Sequence, residues 1–137
     1  EFKEQGISLP LEFQGTTTRG NRREKGNQIQ IDVFGEGMRE RWNTGSPWRQ
    51  TVNSWLASNC FGDYYTRTGL DIKTRELITF CFLAAAGGCE SQLASHTTGN
   101  IAAGNSKEFL TRVVLNMTPY IGYPRTLNAL AVVEAAK

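Results

Sequence analysis

The chain has a single histidine and only three cysteines among its 137 residues, and no two cysteines stand in a CxxC pair. Donors this sparse leave a structural zinc site without a ligand set, so no metal is expected. Three is an odd number for a disulfide framework. Free thiols in a reducing compartment, the cytoplasm, are expected instead. Charge of one sign is lacking as well: 15 basic and 13 acidic residues leave a net charge of +2. No basic cluster is interleaved with aromatics, which argues against nucleic acid as a partner. The longest apolar run, around "ITFCFLAAAGG", is well short of the ~20 residues that cross a bilayer, so no membrane partner is expected. No basic stretch leads into an apolar one at the start, so no secretory signal is read. Glu1 is not an initiator methionine, and the expectation is a processed, tag-derived or fragmentary chain. Alternating strand patterns of useful length are also missing, which leaves an all-α fold as the expectation.

What is present is a succession of helical patterns. Residues 1–21, broken up by Pro10, Gly15 and Gly20, read as an arm or linker whose Phe2, Leu9, Leu11 and Phe13 dock on their own domain or on a neighbouring subunit. Residues 22–137 read as one helical domain. Its first helix has Ile29, Val33 and Phe34 as the inward stripe and stops at Gly35 and Gly37. Ser46 and Pro47 open a second, with Trp48, Val52, Trp55, Leu56 and Cys60 at helical spacing. Asp71 caps a third, apolar nearly all round after Glu76, which predicts the central buried helix. The helix from Cys89 is expected to end at Gly104. Asn105 with Glu108 reads as a capping box for the next, stopped by Pro119. Pro124 opens the last, with Leu127, Leu130, Ala131 and Val133 inward. The sum is a compact bundle of about six helices.

Cys89, Gln92 and His96 sit at i, i+3 and i+7 in "GGCESQLASHTTGN", on one face of a helix. Cys89 follows two glycines at a helix start, where free amides and the dipole favour a thiolate; equally it is a small hydrophobe filling a tight corner. His96 lies roughly 10 Å from Cys89 at 1.5 Å per residue, too far for a direct pair on a straight helix. It reads as a core histidine or as a site histidine given room by small neighbours. Gly99 is expected to let another helix approach closely, and Gly88 to take a positive φ or lie against a neighbouring backbone. Glu76 reads either as a solvated first-turn anion or as an inward carboxylate tuning His96. Cys60 and Cys81 fall on apolar stripes and read as core. Arg67 and Arg125 sit in turns beside helix starts, as solvated cations or as bidentate partners for a substrate carboxylate.

The stretch "TRTGLDIKTRELITFCFLAAAGGCESQLASHTTGNIAAG", followed by "TPYIGYPRTLNALAVVEAA", resembles the carboxymuconolactone decarboxylase family, which includes the alkylhydroperoxidase D-like proteins. The resemblance spans about residues 25–136. It implies an all-helical, alkylhydroperoxidase D-like fold that assembles as a homo-oligomer, trimeric or hexameric, with active sites near subunit contacts. It also places Glu76, Cys89 and His96 in the site with Gln92 beside them.

The two branches of the family ask for different residues. The alkylhydroperoxidase D-like branch uses a CxxC at the start of this helix and a histidine four residues after its second cysteine. Here Cys89 and His96 match, and Gln92 stands where the second cysteine would be. The lactone decarboxylases keep the histidine and resemble this chain through "CFGDYYTRTGLDIKTR", but usually carry an acid at 92 and no cysteine at 89. The expected function is cofactor-independent decarboxylation or proton transfer on a small carboxylated lactone or ring acid. His96 would be general acid/base, Glu76 its partner, and Gln92, Arg67 or Arg125 would contact the small-molecule substrate. The alternatives are a thiol peroxidase, an antioxidant peroxiredoxin activity centred on Cys89, and a non-catalytic small-molecule-binding oligomer.

Overall fold

A computed structural model describes residues 2–136. Helix α1 (Arg22–Phe34) is followed by two short 3-10 turns, Glu36–Met38 and Arg41–Asn43. Helix α2 (Pro47–Trp55) then runs without a break into a π-helical segment, Leu56–Tyr64. Helices α3 (Ile72–Ala86), α4 (Glu90–Ala102) and α5 (Lys107–Ala135) complete the order, and no strand occurs among the described residues. The fold is all-α, as expected.

Local signals account for most helix ends. Asp71 accepts a hydrogen bond from the Thr74 amide at 2.8 Å, the N-cap expected for α3. The Thr74 hydroxyl and amide together hold the Asp71 carboxyl below its usual range. Glu90, in the first turn of α4, is likewise lowered, by its own amide and that of Gly88 and by Asn128. Lowered carboxyls stabilise the fold above their unfolded-state range, and that contribution is lost as pH falls through the folded values. Gly87 (φ 69°) and Gly88 (φ 71°) turn the corner between α3 and α4, and Gly104 (φ 92°) closes α4.

The core lies where α3, α4 and α5 meet: Phe80 and Ala84, Leu93, and Leu110, Val114, Ala129 and Val133. Burying side chains such as Phe80 and Leu110 contributes about 1.5–3 kcal/mol each. Several expected faces are rotated from where periodicity put them. Helix α3 buries only Glu76, Phe80 and Ala84, an i, i+4, i+8 line, while Phe82 is 72% exposed. It is therefore buried along one face rather than all round. The α2 stripe faces outward, with Trp48 and Trp55 exposed by 64% and 66%.

Helix α1 buries Gly26, Asn27, Gln30 and Val33, a largely polar face, and Ile29 is only half-buried. The reason is backbone proximity. A Cβ on Gly26 would lie 1.8 Å from the Ala57 carbonyl oxygen, and one on Gly62 would lie 2.3 Å from that of Arg22. Two glycines thus bring α1 against the π-helical segment without intervening side chains.

Two corrections concern α5. Ser106, not Asn105, is its N-cap, accepting from the Phe109 amide at 3.1 Å. Asn105 is buried and donates to Asn100 Oδ1 at 2.8 Å and to the Lys73 carbonyl at 3.0 Å. Pro119 does not end the helix. The break falls at Gly122 (φ 78°, ψ 162°), where the missing Cβ admits a positive φ. Thr126 Oγ1 donates to the Gly122 carbonyl at 3.0 Å. Past it, Thr126, Ala129 and Val133 are buried, whereas Leu127 and Ala131 face outward.

The arm is tied down near its end. Thr16 donates to the Thr66 carbonyl at 2.8 Å, and the Thr68 amide to the Gln14 carbonyl at 3.1 Å. Phe2, Leu9, Leu11 and Phe13 remain exposed, so contact with this domain runs through backbone and threonines and not through those apolar side chains.

Two stability outcomes follow from these contacts. Gly26→Ala is expected to lose at least ~1–3 kcal/mol in chemical denaturation, because the α1 crossing has to open. Gly37→Ala, with nothing within 4 Å of the added methyl, should stay within about 0.5 kcal/mol of the parent chain. Ser106→Ala should lose ~1 kcal/mol. Asn105→Ala should lose more, since it strands the buried Asn100 Oδ1 acceptor; a loss no larger than that of Ser106→Ala would contradict this bridging role.

Candidate active site

His96, on the second turn of α4, faces Glu76, on the second turn of α3. The antiparallel pairing of these helices is held by an amide relay. Asn100 donates to the Glu76 carbonyl at 2.9 Å and to the His96 carbonyl at 2.8 Å, and Asn105 steadies Asn100 from behind. Gly99 supplies the space: a Cβ there would lie 2.6 Å from Glu76 Oε2 and 2.9 Å from Val33 Cγ1. The close approach expected of Gly99 is thus an approach to a carboxyl group.

The Glu76 side chain is fully buried, and His96 Nδ1 donates to its Oε2 at 2.8 Å. The other oxygen, Oε1, has no hydrogen-bond partner among the described residues, and no second cation pairs with Glu76 among them. Burial pushes the Tyr65 hydroxyl well up, and the nearby Glu76 carboxyl adds to the effect; Tyr65 hydrogen-bonds to Thr79. Burial, again with Glu76 nearby, pushes the Cys60 thiol up. Glu76 therefore depends on His96 for its neutralising partner. With Glu76 as the carboxylate, which only accepts, the shared proton sits on Nδ1 and Nε2 is left for a ligand.

The His96 ring meets the Phe34 ring edge to face at 5.2 Å, and Phe34 meets Phe61 the same way at 5.8 Å. These aromatics open onto a cavity of about 390 Å³, within the range of small-molecule sites. Helix α4 contributes Gln92, Ser95 and His96 to its lining, α1 contributes Gln30 and Phe34, and the π-helical segment contributes Leu56 and Phe61. Met38, Arg41 and Trp42 come from the loop between α1 and α2, and Asn53 from α2. An apolar wall with a few converging polar groups suits a small ring compound.

Of the residues singled out in the sequence, His96 and Gln92 line the cavity and Glu76 stands behind His96. Cys89 is not among the lining residues; its thiol donates to the Leu83 carbonyl at 3.3 Å. Arg67 belongs to the turn before α3, where its carbonyl accepts from the Arg75 guanidinium at 2.7 Å. Arg125 packs over the Gly87 corner, its Nε 3.1 Å from where a Gly87 Cβ would be. Neither arginine lines the cavity, whose cation is Arg41. The loop carrying Arg41 and Trp42 went unread because Gly35 and Gly37 serve equally as a helix stop. The usable signal was the bracket of Gly35 and Gly45, both with positive φ, around an Arg-Trp pair. Among the described residues no group of three or more His, Cys, Asp or Glu side chains is arranged to hold a metal ion, and no helix is long and apolar enough to cross a membrane.

Residues 50–135 match the model of the carboxymuconolactone decarboxylase family, more than half of the chain. The chain belongs to this family. It is 26% identical over 114 residues to a 4-carboxymuconolactone decarboxylase of Acinetobacter baylyi, an alignment covering 82% of this chain and 84% of that protein. It is also 32% identical over 86 residues to an uncharacterized 15.0 kDa protein of Paracoccus denitrificans encoded in the nqo9-nqo10 intergenic region, covering 62% of this chain and 64% of that one. The span matched to the family includes Glu76, Gln92 and His96. Gln30, Phe34, Met38, Arg41 and Trp42, the opposite wall of the cavity, lie outside it.

The site makes one direct spectroscopic demand. As the chain's only histidine, His96 can be observed by nitrogen-15 NMR without assignment. Neutral His96 is expected to carry its proton on Nδ1. Gly99→Ala, whose methyl would crowd Glu76 Oε2, should shift that signal toward a mixture of tautomers. An Nε2-protonated ring in the parent chain would contradict the contact with Glu76.

Proposed function

We propose that the chain is a cofactor-independent enzyme that decarboxylates, or moves a proton on, a small carboxylated lactone or related ring acid, with His96 as general acid/base. The observation that carries this reading is the His96–Glu76 pair, with His96 lining a cavity of ring-compound size and Glu76 buried behind it. When carbon dioxide leaves such a substrate, the electron pair of the broken C–C bond passes into the conjugated carbonyl as a dienolate. The dienolate must then be protonated on carbon. His96 serves by taking up a proton from solvent on Nε2 and delivering it to that carbon, while Glu76 stabilises the imidazolium formed in between. Gln92 and Ser95 offer hydrogen bonds to the substrate's oxygens. The relationship to a 4-carboxymuconolactone decarboxylase makes that lactone the first substrate to try.

The thiol-peroxidase alternative has less behind it. Cys89 lies outside the cavity lining, Gln92 replaces the second cysteine, and burial pushes the thiols of Cys60 and Cys81 up, which disfavours both as thiolates. The three cysteines are free, consistent with the cytoplasm we propose. A homo-oligomer, trimeric or hexameric, is proposed as well. It would cover some of the apolar surface exposed at Trp48, Trp55, Phe82, Tyr120 and Tyr123, and light scattering that reports a monomer at micromolar concentration would refute it.

The decisive comparison is between two variants. His96→Gln keeps an amide donor for Glu76 and should lower turnover of 4-carboxymuconolactone by roughly 10²–10⁴-fold, with circular dichroism unchanged. Cys89→Ser should keep most of it. The reverse pattern, with a peroxide-trapped sulfenic acid on Cys89 in the parent chain, would establish the thiol chemistry instead.

A further inference from the structure

We propose that Arg41 is the anion-binding residue of the cavity and selects carboxylated over neutral ring compounds. The link to decarboxylation rests on the function proposed above; the selectivity does not. Arg41 lines the same cavity as His96, and no aspartate or glutamate lines it with them. Its guanidinium makes no ion pair or hydrogen bond among the described residues. The neighbouring cation, by contrast, is spoken for: Arg39 grips Glu36 through both carboxylate oxygens, at 2.8 and 3.0 Å. Arg41 is exposed on its outer side, and a permanently charged planar fork lining a cavity with apolar walls and no counter-ion suits a carboxylate.

The loop fixes the backbone that carries that fork ahead of any ligand. Buried Asn27 clamps it from α1, donating to the Met38 carbonyl at 2.7 Å and accepting from the Glu40 amide at 3.0 Å. Glu40 has φ 53°, in the left-handed region, which no other described non-glycine residue enters. Such a residue persists where its surroundings over-determine it. The Arg41 carbonyl receives the Thr44 hydroxyl at 2.9 Å and Asn53 Nδ2 at 3.3 Å. Trp42 is backed by the Arg23 guanidinium, 3.9 Å from its ring centroid. Every one of these bonds uses the backbone of residue 41 or a neighbour, so the Arg41 side chain is free to serve a ligand. In a decarboxylation, a cation paired with the departing carboxylate would oppose loss of its charge. Arg41 therefore holds a carboxylate that stays.

The test is binding of furan-2-carboxylate and its neutral counterpart furan-2-carboxamide, followed by the His96 ring signals in NMR titrations. The parent chain should prefer the acid by roughly 10-fold or more, as a charged hydrogen-bond pair implies. Arg41→Gln should bring the two ligands within about 2-fold, and Arg41→Lys should keep part of the preference as a point charge. Both variants leave the backbone bonds of the loop intact and should fold. A preference that survives Arg41→Gln, or a parent chain that shows none, including one that binds neither ligand, overturns the proposal. If 4-carboxymuconolactone is not turned over while the preference is lost in Arg41→Gln, the decarboxylase reading fails and the anion site stands. If the lactone is turned over while Arg41→Gln keeps its preference, the anion site fails and the decarboxylase reading stands.

Discussion

A carboxyl group taken wholly out of water has to be matched by hydrogen bonds or an opposite charge, and Glu76 is matched on one oxygen only, by His96. The arrangement of α3 and α4 can be understood as serving that contact. Gly99 clears the volume into which the carboxylate reaches, and the Asn100–Asn105 relay locks the backbone on both sides of the pair. The neighbouring hydroxyl and thiol are held neutral by the same burial. The result is an imidazole fixed in orientation, with one nitrogen spent on structure and the other available for chemistry.

A fixed histidine becomes a site only when something faces it. That opposite wall depends on a second constraint, the backbone-to-backbone crossing of α1 and the π-helical segment at Gly26 and Gly62. π-helical turns are uncommon and recur at functional sites. Here the segment presents Leu56 and Phe61 to the cavity, while its glycine admits α1. Because α1 sits so close, Phe34 reaches the His96 ring, and Asn27 reaches the loop that carries Arg41 and Trp42. Stability and site are thus built from the same glycines. Of the cavity lining, Gln30, Phe34, Met38, Arg41 and Trp42 precede the span matched to the family, while Asn53, Leu56 and Phe61 fall within it with Gln92, Ser95 and His96.

The outward faces of α2 and α5 have a different character. Helix α2 buries no residue fully, and Tyr120, Tyr123 and Leu127 flank the Gly122 break in the open. Apolar spacing on a helix shows that a face seeks cover. It does not show whether that cover comes from the same chain.

Much was legible in the sequence because the signals are local. Asp71, Ser46 with Pro47, Gly87-Gly88 and Gly104 act within one turn of backbone, so the helix boundaries they imply agree with the structure. The candidates Glu76, Gln92 and His96 could be named because few residue types do such chemistry and helical spacing placed two of them on one face. Tertiary structure alone decided the rest. Asn105 was free to cap its own helix until the buried Asn100 needed a donor, and Leu127 lost its inward place to Thr126 because Gly122 reset the helical phase. Most consequentially, Arg41 rather than Arg67 or Arg125 came to face His96. Fifty-five positions separate Arg41 from His96 in the chain, and what unites them is a crossing of two glycine backbones. No local propensity records such a crossing, because its energy exists only once both helices are in contact.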